Sequence, residues 1–137
     1  MAGPPRRSQL LSSFPERLQG GRWEPSLDVL ETEKSVVLRV ELAGVKSNQV
    51  RVTVDGDRIL VRGLRRVPDA AQALRLHQME IAYGPFERSV RVAIPFDREQ
   101  VSASLEEGFL TVTLPKRVPS RQRIEVRSED ADEGDRE

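Results

Sequence analysis

The chain has 137 residues, and its 22 Lys and Arg residues balance 22 Asp and Glu residues to a formal net charge of zero. It contains no cysteine and one histidine, which excludes disulfides and thiol catalysis and argues against a His-based triad or a His-rich metal site. The length suits one domain with tails, and the balanced charge argues against a general binder of polyanions.

The two ends of the chain differ in charge. Residues 1–22 carry four arginines against Glu16 alone, whereas residues 129–137 carry six acidic residues against Arg136. We expect a solvated tail at each end. No apolar run approaches the roughly 18 residues of a membrane-spanning helix, and the start lacks the apolar core of a secretory signal. The sequence therefore predicts a cytoplasmic protein that does not bind a membrane.

The first 22 residues predict a short amphipathic arm. Pro4-Pro5, Pro15 and Gly20-Gly21 interrupt it, which leaves about two helical turns, too few for a stable isolated helix. Its apolar residues have the spacing of one helical face; they are Leu10, Leu11, Phe14 and Leu18. These side chains need a surface to bind, either on the body of the protein or on a partner.

From Trp23 onward the pattern predicts strands. Trp23–Val29 is typical of an edge strand, because proline is tolerated at such positions. The alternation of Val36–Leu42 predicts an antiparallel strand with one solvent-exposed face, which Ala43-Gly44 ends. The polar run Lys46–Gln49 predicts a single helical turn.

The next strands form a hairpin in this interpretation. Val50–Val54 alternates apolar with polar residues, Asp55-Gly56-Asp57 is a turn signal, and Arg58–Arg62 directs Ile59 and Val61 inward. Gly63–Gly84 then interrupts the rhythm. It is too long for a hairpin connection, and loops of that length are usually functional or contain structure of their own.

A weak strand, Leu74–Met79, is predicted inside the long loop. The alternation then resumes from Phe86 to Ile94 and stops at Pro95. Seven or so strands with short turns and no crossover helices predict an all-β protein, an antiparallel β-sandwich of the immunoglobulin-like kind.

The last two strands form a second hairpin. Val101, Ala103 and Leu105 alternate with serines, and Leu110–Leu114 alternates with threonines up to Pro115. Glu106-Glu107-Gly108 is the predicted turn, with Gly108 at positive φ in a short loop of the bulged type.

Four motifs resemble the α-crystallin domain of small heat-shock proteins of the bacterial and plant type. The hairpin matches the family pattern Ala-x-x-x-x-Gly-x-Leu at Ala103, Gly108 and Leu110. Residues 83–88, Tyr-Gly-Pro-Phe-Glu-Arg, resemble the start of a family strand, and residues 42–45, Leu-Ala-Gly-Val, resemble its Leu-Pro-Gly-Val bend with the proline lost. Ile124-Glu125-Val126 resembles the family's Ile-x-Ile/Val anchor, and the whole resemblance spans roughly residues 23–126.

The resemblance implies an ATP-independent holdase that binds partly unfolded client proteins and assembles as a homodimer and a higher homo-oligomer. It implies an arm at 1–22, an α-crystallin domain at 23–116 and a C-terminal extension at 117–137, with no catalytic, cofactor or metal site. The expected site residues are the client-binding Leu10, Leu11, Phe14 and Leu18, the anchor Ile124 and Val126, a groove of Val50, Val52, Val54, Val101, Ala103 and Leu105, the hairpin Gly108 and Leu110, and a dimer loop with Leu74, Leu76 and Met79.

Two other classes of function remain as alternatives. A co-chaperone or adaptor of the CS-domain type would share the sandwich and bind one folded partner, but it needs neither the long loop nor the distal Ile-x-Val. A sandwich enzyme would need a catalytic set, and no convincing one is present. Glu106-Glu107 on a turn is expected to be solvated, and no phosphate-binding loop occurs.

Other candidate sites are better explained by structure. His77 has the neighbours of a strand residue, and Asp55-Gly56-Asp57 lacks the twelve-residue ligand pattern of a calcium loop. Arginines on the polar strand faces suggest nucleic acid, but aromatic residues for base stacking are scarce. Paired surface charge is the expected role of these arginines, which are Arg39, Arg51, Arg58, Arg62, Arg88 and Arg91.

Overall fold

A computed structural model describes residues 22–68, 73–118 and 122–129. The predictions for Leu10, Leu11, Phe14 and Leu18 lie outside these residues. Single turns of 3₁₀ helix occur at Ser47–Gln49 and at Arg98–Gln100. The strands in the described part are β1 (Leu27–Glu31), β2 (Ser35–Glu41), β3 (Val50–Asp55), β4 (Arg58–Arg65), β5 (Gly84–Arg91), β6 (Ser102–Glu106) and β7 (Phe109–Pro115).

The strands form two antiparallel sheets, which confirms the predicted sandwich. The four-stranded sheet has the order β1-β2-β7-β6, and the three-stranded sheet has the order β3-β4-β5. The apolar positions of the alternating strands face each other across the space between the sheets and exclude water. The buried core consists of Val36, Leu38, Val40, Leu42, Val45, Ile59, Val61, Phe86, Val92, Phe96, Leu110, Val112 and Leu114.

The entry strand begins later than the sequence predicts. Trp23 pairs with β5 of the three-stranded sheet, where its N–H donates to the carbonyl of Pro85 and its carbonyl accepts from the N–H of Glu87. The chain then crosses to the four-stranded sheet, so β1 starts only at Leu27. One segment therefore contacts both sheets, and the prediction of a single strand over Trp23–Val29 is wrong.

The boundaries of β4 and β5 also differ from prediction. Gly63, Leu64 and Arg65 belong to β4, because they pair with the first residues of β5. The loop is therefore shorter and spans residues 66–83. The strand β5 ends at Arg91 and not at Ile94, because its partner β4 begins opposite it, at Arg58.

The turn of the last hairpin has two residues. Glu106 pairs directly with Phe109, and Glu107 and Gly108 both have positive φ, 51° and 82°. Positive φ at both central residues is the type I′ geometry, whose twist matches that of the flanking strands. The predicted bulged loop is therefore wrong, although Gly108 does take the predicted positive φ.

Candidate functional site at the exposed sheet edges

One side of the sandwich is closed by the segment that crosses between the sheets. Trp23 pairs with β5, and the Arg88 side chain of β5 donates to the carbonyl of Pro25 at 3.2 Å. The chain continues into β1 after Ser26, so the β5 and β1 edges are neighbours. The far edge of the four-stranded sheet is β6, and the far edge of the three-stranded sheet is β3. These two strands therefore lie together on the other side of the sandwich, which we call the open side.

The open side has an apolar lining. The inward residues of β3 are half-buried and pack against the core, as do Val101 just before β6 and Leu105 within it. Ala103 is exposed, because β6 is an edge strand and no described side chain covers it. We call this lining the edge groove; it consists of the predicted Val50, Val52, Val54, Val101, Ala103 and Leu105.

The β1 edge presents a second apolar surface. Val29 and Leu30 are 51% and 41% exposed, and among the described strands β1 pairs only with β2. Successive residues of a strand point to opposite faces, so both faces of this edge carry an exposed aliphatic side chain. Unpaired edges of this kind favour the addition of another strand.

The loop contains no strand within residues 73–83 of the described part. The predicted strand Leu74–Met79 is therefore absent from the single chain, where Leu74 is 85% exposed and Leu76 37%. Met79 is half-buried and lines a small concavity of about 230 Å³ with Val67, Pro68 and Ile81. Among the residues that the structure describes, this exposed apolar segment has no strand to pair with.

Arg65 holds the base of the loop. Its guanidinium donates to the carbonyl of Ala82 through Nε and Nη2, at 2.8 and 2.6 Å, and to the carbonyl of Ala43 at 3.2 Å. It also lies over the Trp23 ring, 4.2 Å from the centroid, in a cation–π geometry. Burial lowers the pKa of Arg65 from its ordinary value. The indole Nε1 of Trp23 in turn donates to the carbonyl of Gly84 at 3.0 Å.

Sequence reasoning missed the role of Arg65 and Trp23 in this clamp. The sequence predicts Arg65 inside the long loop and Trp23 at the start of the entry strand, so it does not bring the two residues together. The chain has one tryptophan, and its position at the start of the patterned region was the available signal. Periodicity does not reveal a contact between residues that lie 42 positions apart.

The outer face of the three-stranded sheet carries ion pairs. Arg62 bonds to Glu87 at 2.9 Å, Arg22 bonds to the same carboxylate, and Arg91 bonds to Asp57 at 2.7 Å. The hydrogen bond from Arg62 is the main reason that the pKa of Glu87 lies below its ordinary value. The expectation of paired charge thus holds for Arg62 and Arg91. Arg39 and Arg51 form no salt bridge with the residues that the structure describes.

The C-terminal anchor is exposed in the single chain. Ile124 and Val126 are 80% and 94% exposed, and residues 122–129 form no strand. The hairpin residues behave differently, because Leu110 is in the core and the ideal Cβ position of Gly108 lies 3.1 Å from the Cα of Ala43. The anchor thus does not fill the edge groove of its own chain.

The described residues contain no cluster of His, Cys, Asp or Glu that could hold a metal ion. His77 is exposed and lies in the loop, outside any strand. Among the same residues, no helix is long and apolar enough to cross a membrane. The described surface instead presents apolar strand edges and charged side chains.

Comparison with known proteins decides the family. The sequence model of the Hsp20/alpha crystallin family matches residues 28–128 of this chain. The chain belongs to this family. The family is one of small heat-shock chaperones, which are not enzymes, so membership supports a chaperone role for this chain.

Curated relatives of this small heat-shock protein come from bacteria and plants. Spore protein SP21 of Stigmatella aurantiaca is 34% identical over 105 residues, which cover 76% of this chain and 62% of that protein. The 17.8 kDa class I heat shock protein of Solanum lycopersicum is 38% identical over 104 residues, covering 73% and 68%. The chain therefore spans about two thirds of the length of these relatives.

Solved structures show the same fold. A small heat-shock protein from Xylella fastidiosa superimposes with a TM-score of 0.67 at 27% identity, over 78% of this chain and 99% of that one. Heat shock protein 16.0 from Schizosaccharomyces pombe gives 0.64 at 28% identity, over 77% and 100%. The resemblance recognised from the sequence motifs and the predicted sandwich fold are both confirmed.

Proposed function

We propose that this small heat-shock protein is an ATP-independent holdase that acts in the cytoplasm. It binds partly unfolded proteins and limits their aggregation. The observation that carries this proposal is the presence of two apolar sheet edges, at β1 and at the edge groove, with which no described strand pairs. A protein that has lost structure exposes apolar surface and strand edges of its own, and these edges can cover them without any chemical step. Binding of the unfolded state does not refold it.

Light scattering of an aggregating model protein tests the proposal. With no nucleotide present, sub-equimolar to equimolar amounts of the chain are expected to lower the scattering as the temperature rises. Serum albumin at the same mass concentration controls for crowding. Unchanged scattering across the whole temperature range would contradict the holdase function, whereas protection that requires ATP would contradict its mechanism.

We propose further that the anchor of one subunit fills the edge groove of another. Ile124 and Val126 are two positions apart, so both side chains point the same way from an extended segment. Such a segment can add to a sheet edge and place its side chains in adjacent pockets. The exposure of the anchor and the open groove support this arrangement. The groove would then be vacated for clients when the anchor leaves.

The loop is proposed to exchange between two subunits, so that Leu74–Met79 becomes a strand against the partner's β1 near Leu27–Leu30. Its exposed leucines and the β1 edge, which has no second partner in the described part of the chain, support this, because pairing would cover both. The Arg65 clamp holds the loop only at its base. The absence of a strand in the single chain is then a consequence of the missing partner edge.

Deletion of Pro68–Gln78 is expected to give a folded monomer, because it removes the exchanged strand and keeps the clamp residues Arg65 and Ala82. Sedimentation velocity measures the mass and far-ultraviolet circular dichroism the fold. A second variant replaces Pro68–Gln78 with a Gly-Ser segment of the same length, which separates the effect of the loop's sequence on dimerisation from that of its length. This variant should also be monomeric. An intact dimer after the deletion would exclude this mode of pairing.

The arm is proposed to carry much of the client contact and part of the assembly contact, since a short segment with an apolar helical face needs a surface to bind. Replacement of Leu10, Leu11 and Phe14 with serine is expected to reduce client protection in the scattering assay and leave the dichroism of the sheet unchanged. The control changes Ser12 and Ser13 of the same arm to alanine and should protect fully. Equal protection by both variants would count against a client-binding arm.

A further inference from the structure

A basic patch lies on the outer face of the three-stranded sheet. Arg51 of β3 stands directly opposite Arg62 of β4, and both line a shallow concavity of about 480 Å³ together with Arg66. Like charges directly opposite each other destabilise a sheet, so an anion that binds between them stabilises this face. We call Arg51, Arg62 and Arg66 the arginine patch.

Charges within the described residues do not neutralise the patch. Arg62 shares the carboxylate of Glu87 with Arg22, and neither Arg51 nor Arg66 forms a salt bridge in the described part of the chain. Arg22 and the arginine patch carry four positive charges, and the one carboxylate that is bonded to them, that of Glu87, leaves a balance of three. Because Arg62 holds the pKa of Glu87 below its ordinary value, that carboxylate is already ionised at neutral pH and supplies no further negative charge.

The position of the patch relates it to the edge groove. Arg51 lies between Val50 and Val52 on β3, so the strand that lines the groove with one face carries Arg51 on the other. In the sequence, Glu129 follows Val126 by three residues and opens a run with six acidic residues against Arg136. We call residues 129–137 the acidic tail. An extended chain covers about 10 Å from Val126 to Glu129 and about 35 Å to Glu137.

We propose that the acidic tail binds the arginine patch of the subunit whose edge groove holds the anchor. The identity of that subunit rests on the proposed anchor docking, but the attraction between tail and patch does not. The tail has the opposite charge, and it follows the anchor directly in the chain with an extended length of about 35 Å. The contact adds an electrostatic component to an otherwise apolar attachment, so assembly becomes sensitive to salt.

Binding of the tail in trans tests the contact without relying on the anchor. The acceptor is the full chain with its six tail carboxylates changed to amides, which leaves the patch vacant. The probe is a fluorescein-labelled peptide of residues 128–137, followed by anisotropy. Binding at about 20 mM NaCl is expected to weaken by about tenfold or more at 300 mM, since exposed charges are screened beyond the Debye length.

Charge reversal locates the site. The double substitution Arg51→Glu with Arg66→Glu in the acceptor is expected to weaken its affinity for the peptide by about tenfold, because several individually weak surface pairs are lost together. The matched control, Arg39→Glu with Arg98→Glu, makes the same charge change elsewhere and should keep the affinity within about twofold. Circular dichroism verifies that both variants fold.

Three outcomes would overturn the proposal: no peptide binding at low salt, equal loss in the control, or displacement of the peptide by a ten-nucleotide single-stranded DNA at a tenfold lower concentration. The last would assign the patch to nucleic acid.

In the assembled protein, the variant with the amide tail is expected to dissociate on dilution at a higher protein concentration than the native chain does at low salt. This difference should vanish at high salt. If the peptide binds while Ile124→Gly with Val126→Gly leaves assembly unchanged, the anchor proposal fails and the tail contact stands.

Discussion

Replacement of Phe86 with alanine is expected to lower the free energy of unfolding by about 3 to 5 kcal/mol. Phe86 is 2% exposed, and its ring meets that of Trp23 edge-on with centroids 5.4 Å apart. A Cβ at Gly63 would lie 2.4 Å from Cζ of Phe86, so the ring lies directly on the glycine backbone of β4. Removal of the ring leaves a cavity between the two packed sheets. The surrounding side chains can collapse only partly to fill it, because the interior is already closely packed.

Urea unfolding followed by circular dichroism measures this loss. The control is Phe109→Ala, the same chemical change at a position that is 46% exposed, and its cost should be below about 1 kcal/mol. If Phe86→Ala fails to fold, Phe86→Leu supplies the comparison, because it should still lose more stability than Phe109→Ala. Equal losses of unfolding free energy at the two positions would show that Phe86 does not contribute to the packing between the sheets.

Replacement of Ile124 and Val126 with glycine is expected to reduce the assembly to dimers. Burial of the two side chains stabilises the contact by roughly 3 to 6 kcal/mol before costs, and ordering of the extension subtracts several of these. A single contact is therefore weak, on the order of −4 kcal/mol, which corresponds to a millimolar dissociation constant. Several such contacts closed in a ring hold tightly through effective concentration, while each opens singly.

Size-exclusion chromatography measures the outcome as a later elution volume. Val118→Gly with Arg123→Gly is the matched control, since it adds two glycines to the same extension and removes no anchor side chain; its elution should equal that of the native chain. An unchanged volume for the anchor variant would show that the motif does not link dimers. A late elution of the control as well would assign the effect to chain flexibility.

The strands themselves could be predicted from the sequence because their information is local. Alternation of apolar and polar residues places Val36, Leu38 and Val40 on one face whatever the rest of the chain does, and all three are buried in the core. Asp55-Gly56-Asp57 and Gly108 mark turns by conformational preference, which is also local. The motif resemblance then supplied the family, which the comparisons confirmed.

The tertiary structure decided where strands end and which edges remain open. Residues 63–65 read as loop, yet they are strand because β5 extends far enough to pair with them. Trp23 reads as the start of β1, yet it binds the other sheet, because the hydrogen-bonding edge of β5 and the carbonyl of Gly84 lie within its reach only after folding. Arg65, Trp23 and Ala82 come from three separate stretches of the sequence, and no periodicity relates them. Their contact exists because the sandwich brings three chain segments to one corner, where a planar guanidinium satisfies carbonyls that the sheets leave unpaired.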